Sequence, residues 1–387
     1  MPLFQKRLRF SRVVTIQGPR QCGKSVFARQ LFGKTEPRCT FETLDIQSAR
    51  TLAQDNPQSF LMAHSRARPL IIDEAQKAPP LFDAIKAIVD DNPEPGQFVL
   101  LGSTEFSREL RIRESLTGRM LRTRLFTLTL RECLETSAPK TFHILSRSPV
   151  ATRTQVMQHL DRGGFPGIFS VRELSVREEL LRGWLEITVT RDLQQLQTLK
   201  LDAELAMNIL YQVAQNQEPT ASSFAGALRK DTRTIQKYLK ALETLFILHR
   251  LDPVSGSTGK PRYYLCDVSL AGYLGGSFER RLETWVLHEF LARISYLGAA
   301  DTTVGFYRNT KGSLLHWVVQ NRKQPRQRQA IRLISKERFD QRDTELLKSF
   351  QKRQQSDGVT TTLTLLGPNL KPLRLESVDV LPWEFVA

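Results

Sequence analysis

Gly18-Pro19-Arg20-Gln21-Cys22-Gly23-Lys24-Ser25 decides the fold of the first third of this chain. The stretch satisfies G-x-x-x-x-G-K-[ST], follows the β-branched run Val13-Val14-Thr15-Ile16, and opens a helical pattern from Gly23 through Leu31. The chemistry requires that order. Glycines let the backbone curl until successive N–H groups face phosphate oxygens, and the following helix adds the positive end of its dipole. Lys24 is then expected on the β- and γ-phosphates and the Ser25 hydroxyl on Mg²⁺. A chance loop on a basic surface is the competing reading, and the strand-to-helix context argues against it.

Three more strand candidates follow this loop: Phe41 to Asp45, and the apolar runs Pro69 to Asp73 and Phe98 to Ser103. Unalternating strands separated by helical segments predict a parallel sheet covered on both faces. Ligands gather at the carboxyl ends of such strands, where Lys24, Asp73 and Ser103 all fall. Asp73 is placed to hold the metal, and Glu74 to orient or deprotonate the attacking water. Ser103 and Thr104 bring hydroxyls toward the γ-phosphate, although a plain turn after a strand looks the same. Small-molecule kinases more often spend the Glu74 position on their substrate, so the expected chemistry is ATP hydrolysis with ATP and Mg²⁺ as cofactors.

The 387 residues predict two or three domains. Lys and Arg number 56 against 40 Asp and Glu, a net charge of +16 that favours anionic partners without choosing among them. The composition excludes a mainly disordered chain, and no run is apolar and long enough for a membrane helix. Cys22, Cys39, Cys133 and Cys266 stand far apart, with no zinc spacing, which suits a reducing, cytoplasmic setting. Cys22 lies in the phosphate loop, more readily a bystander than a redox switch. The six histidines form no pair at helical ligand spacing, and Trp184 and Trp285 read as core.

Beyond Arg131 the pattern turns helical. Arg177 to Leu199 reads as one long helix, followed by helices over Asp202 to Gln215, Ala221 to Leu228 and Thr232 to Leu248. A Gly/Ser/Pro-rich loop, Pro253 to Pro261, lies between two apolar strands, which completes the outline of a winged helix. Ile235, Leu239, Leu242 and Phe246 share the core face of the last helix, leaving Arg233, Gln236, Lys237 and Lys240 opposite. With Lys260 and Arg262 in the wing, that face is a candidate contact for double-stranded DNA or another nucleic acid. A merely solvated face is the alternative. Further on, a helix from Leu282 to Tyr296 precedes strands near residues 305–308, 314–319, 331–334 and 360–366, and Asn321 to Gln329 reads as an exposed loop.

These motifs together resemble a family of bacterial and archaeal AAA+ ATPases that carry an uncharacterised C-terminal module. The resemblance rests on GPRQCGKS (18–25), LIIDEAQKAP (70–79), FVLLGSTEF (98–106), ESLTGR (114–119), LFTLTLRE (125–132), GGFP (163–166), Thr190-Arg191-Asp192-Leu193 and YYLCDVSLAGYL (263–274). It implies an AAA+ core over residues 1–135, a helical lid over 136–200, a winged helix over 201–275 and a PD-(D/E)xK-like domain over 276–387. It also implies that Arg119 reaches a nucleotide, within the chain or across an interface between identical subunits, where a fixed guanidinium offsets charge on the transferred phosphoryl group. Arg111, Arg113 and Arg122 lie close enough in sequence to make an ordinary surface arginine the rival reading.

The resemblance breaks in the last domain. Phe306-Tyr307-Arg308 is present, but Leu314 and His316 stand where acids belong, and Arg332 and Ile334 where Glu and Lys belong. Residues 309–336 contain no Asp or Glu, and Glu283 alone cannot hold a hard cation. The expected protein is therefore an ATP-driven switch with a degenerate, non-cleaving nuclease-like domain kept as a binding or scaffolding surface that grips a partner. The alternative is a DNA-binding regulator gated by ATP without hydrolysis.

Overall fold

The computed structural model describes residues 2–32, 39–106, 116, 118–137, 139, 141–194, 196, 201–336, 341–368 and 371–387. Arg111, Arg113 and, within ESLTGR, Glu114, Ser115 and Thr117 lie outside them. The chain divides into two compact units: Met1–Thr127 with Thr244–Phe246, and Leu128–Glu243 with Ile247–Ala387. No described helix is long and apolar enough to cross a membrane.

The first unit is built on five strands, β1 (Val13–Gln17), β2 (Thr40–Thr43), β3 (Leu70–Asp73), β4 (Phe98–Gly102) and β5 (Met120–Arg124). They pair in parallel in the order β2-β3-β4-β1-β5. Every residue of β1, β3 and β4 is buried, which explains their unbroken apolar sequences. Alternate side chains feed opposite faces, as the strand period requires. Leu70, Ile72, Phe98 and Leu100 pack with Phe60, Phe82 and Ile85 on one face. Ile71, Val99, Leu101, Val14 and Ile16 pack with Phe4, Leu31 and Phe32 on the other. The edge strand β5 has no such signature: Leu121 and Arg122 are exposed, so its sequence does not read as a strand.

In the second unit the helix expected over Arg177 to Leu199 begins at Leu174 and leaves α geometry after Ile187. Thr188–Asp192 forms a wider π turn, where the run Ile187-Thr188-Val189-Thr190 is β-branched and the Thr190 hydroxyl bonds back to the Glu186 carbonyl at 2.6 Å. Helices Ala203–Gln215, Ala221–Leu228 and Thr232–Thr244 follow. The last stops four residues earlier than its apolar period indicates, because Phe246 turns into the left-handed region (φ 59°) and starts β6 (Leu248–Leu251). Strand β6 pairs antiparallel with β7 (Arg262–Leu265).

The second sheet contains β8 (Thr302–Arg308), β9 (Leu314–Asn321), β10 (Gln324–Leu333), β11 (Thr360–Gly367), β12 (Leu373–Leu375) and β13 (Val378–Pro382), in the order β12-β13-β11-β10-β9-β8. Helix Phe278–Tyr296 supplies Trp285 and Phe290 to its core, where they meet Trp317. Trp184 is also buried. The expected exposed loop at Asn321 to Gln329 is instead a hairpin with a two-residue turn, since β10 starts at Gln324. Its polar composition hid a strand whose first residues are solvated.

Candidate nucleotide site

Between β1 and helix Lys24–Phe32 the chain makes the tight loop expected of residues 18–25. A Cβ on Gly18 would stand 2.1 Å from the Leu125 carbonyl oxygen, so only glycine fits. Gln21 (φ 59°) and Gly23 (φ 95°) take left-handed conformations, which turn successive N–H groups toward one side of the loop. Lys24 is buried and donates to the Gly18 and Pro19 carbonyls at 3.1 and 2.9 Å. The ammonium thereby caps its own loop. Cys22 is buried, and burial pushes its thiol up, away from the reactive thiolate.

The Ser25 hydroxyl donates to Asp73 Oδ2 at 2.6 Å, which brings the phosphate loop and the end of β3 to one point. Burial raises the Asp73 carboxyl, opposed by the Ser25 hydrogen bond. The Glu74 amide donates to Asp73 Oδ1 at 3.0 Å, and Glu74 itself is left-handed (φ 54°), a strained setting for a side chain at the mouth of a site. The donor set of one hydroxyl and one carboxylate suits a hard divalent cation completed by water and phosphate.

The Ser103 hydroxyl, at the end of β4, donates to Glu74 Oε2 at 3.0 Å. Gln76 was missed in the sequence. Its amide nitrogen donates to both Glu74 Oε2 and the Ser103 hydroxyl, the latter at 3.0 Å. The signal that could have found it is position: Gln76 lies two residues past the acidic pair, on the short turn Ala75–Lys77. Thr104 is buried nearby, its carbonyl accepting from Gln17 at 2.8 Å.

Arg119 does not join this group within the chain. It precedes β5, and Met120 pairs with Val13 while Arg124 pairs with Gln17, so Arg119 sits at the end of the sheet opposite the phosphate loop. Five strand residues separate the two levels, about 16 Å. There its guanidinium grips the Asp90 carboxylate with two nitrogens, one of them Nη2 at 2.9 Å from Oδ2.

The candidate nucleic-acid residues divide. Arg233, Gln236, Lys237 and Lys240 are exposed on helix Thr232–Thr244, as is Lys260, while Ile235, Leu239, Leu242 and Phe246 are buried. Arg262 does not belong with them. It is 3% exposed, donating to Glu283 Oε2 at 3.1 Å and to the Tyr264 hydroxyl at 3.0 Å. Its place on a short β strand turns it inward, which neither charge nor spacing reveals. Arg280 and Tyr264 also donate to Glu283 Oε2, at 2.9 and 3.0 Å. Burial alone would raise the Glu283 carboxyl, but the guanidiniums of Arg262 and Arg280 hold it at about 2. His316 faces the other Glu283 oxygen at 3.6 Å.

The remaining family-like motifs interlock within the second unit. The Leu128 amide donates to the Gly164 carbonyl at 2.7 Å, and the Gly164 amide to Asp267 Oδ2 at 2.9 Å. A Cβ on Gly164 would lie 2.0 Å from the Leu128 carbonyl oxygen. The glycines of GGFP are thus spent on close packing.

Comparison with known proteins agrees with the geometry of the first unit. A family model described as an AAA domain matches residues 10–134, and one described as a domain of unknown function matches residues 153–281. An uncharacterised protein of Mycobacterium tuberculosis is 29% identical over 284 residues, covering 71% of this chain and 59% of the relative. One from Methanocaldococcus jannaschii is 22% identical over 264 residues, covering 64% of this chain and 58% of the relative. The chain therefore spans about three fifths of the length of the curated relatives it matches. Among solved structures, a RuvB mutant of Thermotoga maritima aligns over 65% of this chain and 89% of its own, at 18% identity and a TM-score of 0.30. A STAND-type signal transduction ATPase of Pyrococcus horikoshii aligns over 78% of this chain and 45% of its own, at 12% identity and a TM-score of 0.27. The likeness that bears on this chain is the AAA-domain match, which coincides with the parallel sheet and its phosphate loop.

Proposed function

We propose that the AAA-type P-loop ATPase domain of residues 10–134 binds ATP with Mg²⁺ and hydrolyses it to drive a conformational switch in the second unit. The observation that carries this reading is the 2.6 Å contact between Ser25 and Asp73, with Glu74 beside it. Ser25 and Asp73 hold the cation, which offsets charge on the β- and γ-phosphates. Lys24 leaves its carbonyls for the phosphates. Glu74 orients water for attack on the γ-phosphorus, and Ser103 and Gln76 set its carboxylate. Exposed Arg233, Gln236, Lys237, Lys240 and Lys260 contact a nucleic acid whose engagement depends on nucleotide state.

Arg119 serves a second copy of the chain in this reading. An arginine side chain cannot cover about 16 Å of strand, so its own nucleotide is out of reach. Its pairing with Asp90 keeps the guanidinium extended at the sheet's far end, and a neighbouring subunit's γ-phosphate competes with that carboxylate. Turnover per subunit should rise with protein concentration, using Lys24→Ala as the blank. Lys24→Ala and Arg119→Ala should each be inactive alone and regain part of the activity when mixed, because mixed assemblies rebuild one complete site. Two inactive variants that stay inactive together would sink the shared site. Glu74→Gln should retain ATP while losing turnover; unchanged biological activity in that variant would favour a regulator gated by ATP binding alone.

A further inference from the structure

Residues 309–336 carry seven basic residues and no acid, and the structure spends them unequally. Arg332 and Lys336 meet one buried carboxylate, Asp343, at 3.3 and 2.8 Å. At the β9–β10 turn, Arg322, Lys323 and Arg326 are exposed and Arg328 is half-buried. Among the described residues the ion pairs bring one carboxylate to that tip, Asp301, 2.7 Å from Lys323 and itself partly exposed. Arg328 is steadied by Gln354.

Edge strands use charge, lysine above all, to prevent stray pairing. The pairing of β10 with β11 starts only at Gln327, so the tip projects past β11 with β9 as its partner, yet arginine predominates among its charges. Its register slips between Gln324 and Arg328, so the intervening residues bulge from the ladder and carry Arg326 outward. Bulges of this kind re-aim side chains, at the cost of ladder hydrogen bonds.

We propose that the β9–β10 hairpin tip, Arg322, Lys323, Arg326 and Arg328, is a second nucleic-acid contact, gripping the phosphodiester backbone of duplex DNA without reading sequence. Three features choose this partner. Arginine predominates over lysine, which suits forked hydrogen bonding to phosphate oxygens. The other residues from 320 to 329 are glutamines, one asparagine and a proline, with no aromatic or large aliphatic side chain to enter a lipid interface. No aromatic ring lies on the tip, so base stacking, the mainstay of single-strand binding, is not provided for. The surface is distinct from the exposed face of helix Thr232–Thr244 and asks nothing of ATP turnover.

The test is anisotropy of a labelled 30-base-pair duplex against the full chain without nucleotide, across a salt series. Arg322→Gln, Lys323→Gln and Arg326→Gln combined should weaken binding at least about tenfold and flatten the log–log salt slope by about 2 to 3. All three side chains are exposed, and an unchanged melting temperature will confirm the fold. A charge-matched control, Lys6→Gln with Arg9→Gln and Arg66→Gln, should bind as the parent does. Equal losses in both triples, or none in the hairpin triple, overturn the proposal. So does hairpin-dependent binding to phosphatidylserine vesicles at salt where duplex is not bound, which would reassign the tip to a membrane surface. Loss confined to a Lys237→Gln variant would leave the helix face as the nucleic-acid contact and remove the hairpin.

Discussion

Asp73 and Glu283 are both acids buried in an α/β unit, yet they are held in opposite ways. Asp73 ends a strand at the mouth of a loop, bonded to one hydroxyl and one amide, with burial raising its carboxyl. Glu283 lies within a helix, enclosed by two guanidiniums and a phenol that hold it at about 2. An acid that accepts from one neutral hydroxyl and one amide keeps its charge uncompensated and suits a cation; one paired with two guanidiniums is committed to its neighbours. The same contrast separates Lys24, which rests on carbonyls it can exchange, from Arg280, which also spans the Val213 and Tyr263 carbonyls at 2.9 and 3.1 Å. Function needs the first kind of pairing and architecture the second.

The largest expected effect lies at the exchangeable end. Lys24→Ala should cut ATP turnover by at least about 100-fold, read by phosphate release, while the melting of the second unit stays as in the parent. A matching collapse of stability would erase the distinction. Glu283→Gln should do the reverse, leaving nucleotide binding in place and costing about 3 to 5 kcal/mol in denaturant unfolding of the second unit, because two buried guanidiniums lose their counter-charge.

A pH series sharpens the same comparison. His159 is 5% exposed, and burial holds its imidazole down at about 4, with His288 adding to the effect and Asp267 opposing it. Its folded value lies below the ordinary 6.5, so the neutral ring stabilises the second unit fully above pH 6.5. That contribution is lost as pH falls toward 4. Calorimetry should show the melting temperature declining over this window, and His159→Gln should flatten the decline by about one proton. The smallest effect is expected at Gln76. Gln76→Ala should lower kcat roughly three- to tenfold with KM little changed if the residue acts through Glu74 and Ser103, to which its amide donates. A change in KM alone would assign it to nucleotide binding instead.

The phosphate loop was legible because its geometry admits few residues: Gly18 has no room for a side chain, Gly23 is left-handed, and Lys24 and Ser25 open the helix that follows. Asp73, Glu74 and Ser103 were legible for a related reason, since strand ends in a parallel sheet converge. Gln76 escaped, because an amide on a three-residue turn carries no periodic signal and matters only through what β4 brings beside it. Strand β5 escaped as well, its edge position leaving Leu121 and Arg122 in solvent and its pattern unapolar.

Sequence alone determined the phosphate-loop pattern and the buried strands around it, because backbone conformation and two-sided burial leave marks on neighbouring residues. Tertiary structure alone decided where the arginines went. Arg119 stands at the wrong end of its sheet to serve its own loop, Arg262 turns inward to Glu283, and Arg326 is carried outward by a bulge at the hairpin tip. A guanidinium on a long stem is compatible with surface, salt bridge or ligand. Its role is set by the charge that the fold brings within reach, and that charge lies far away in sequence.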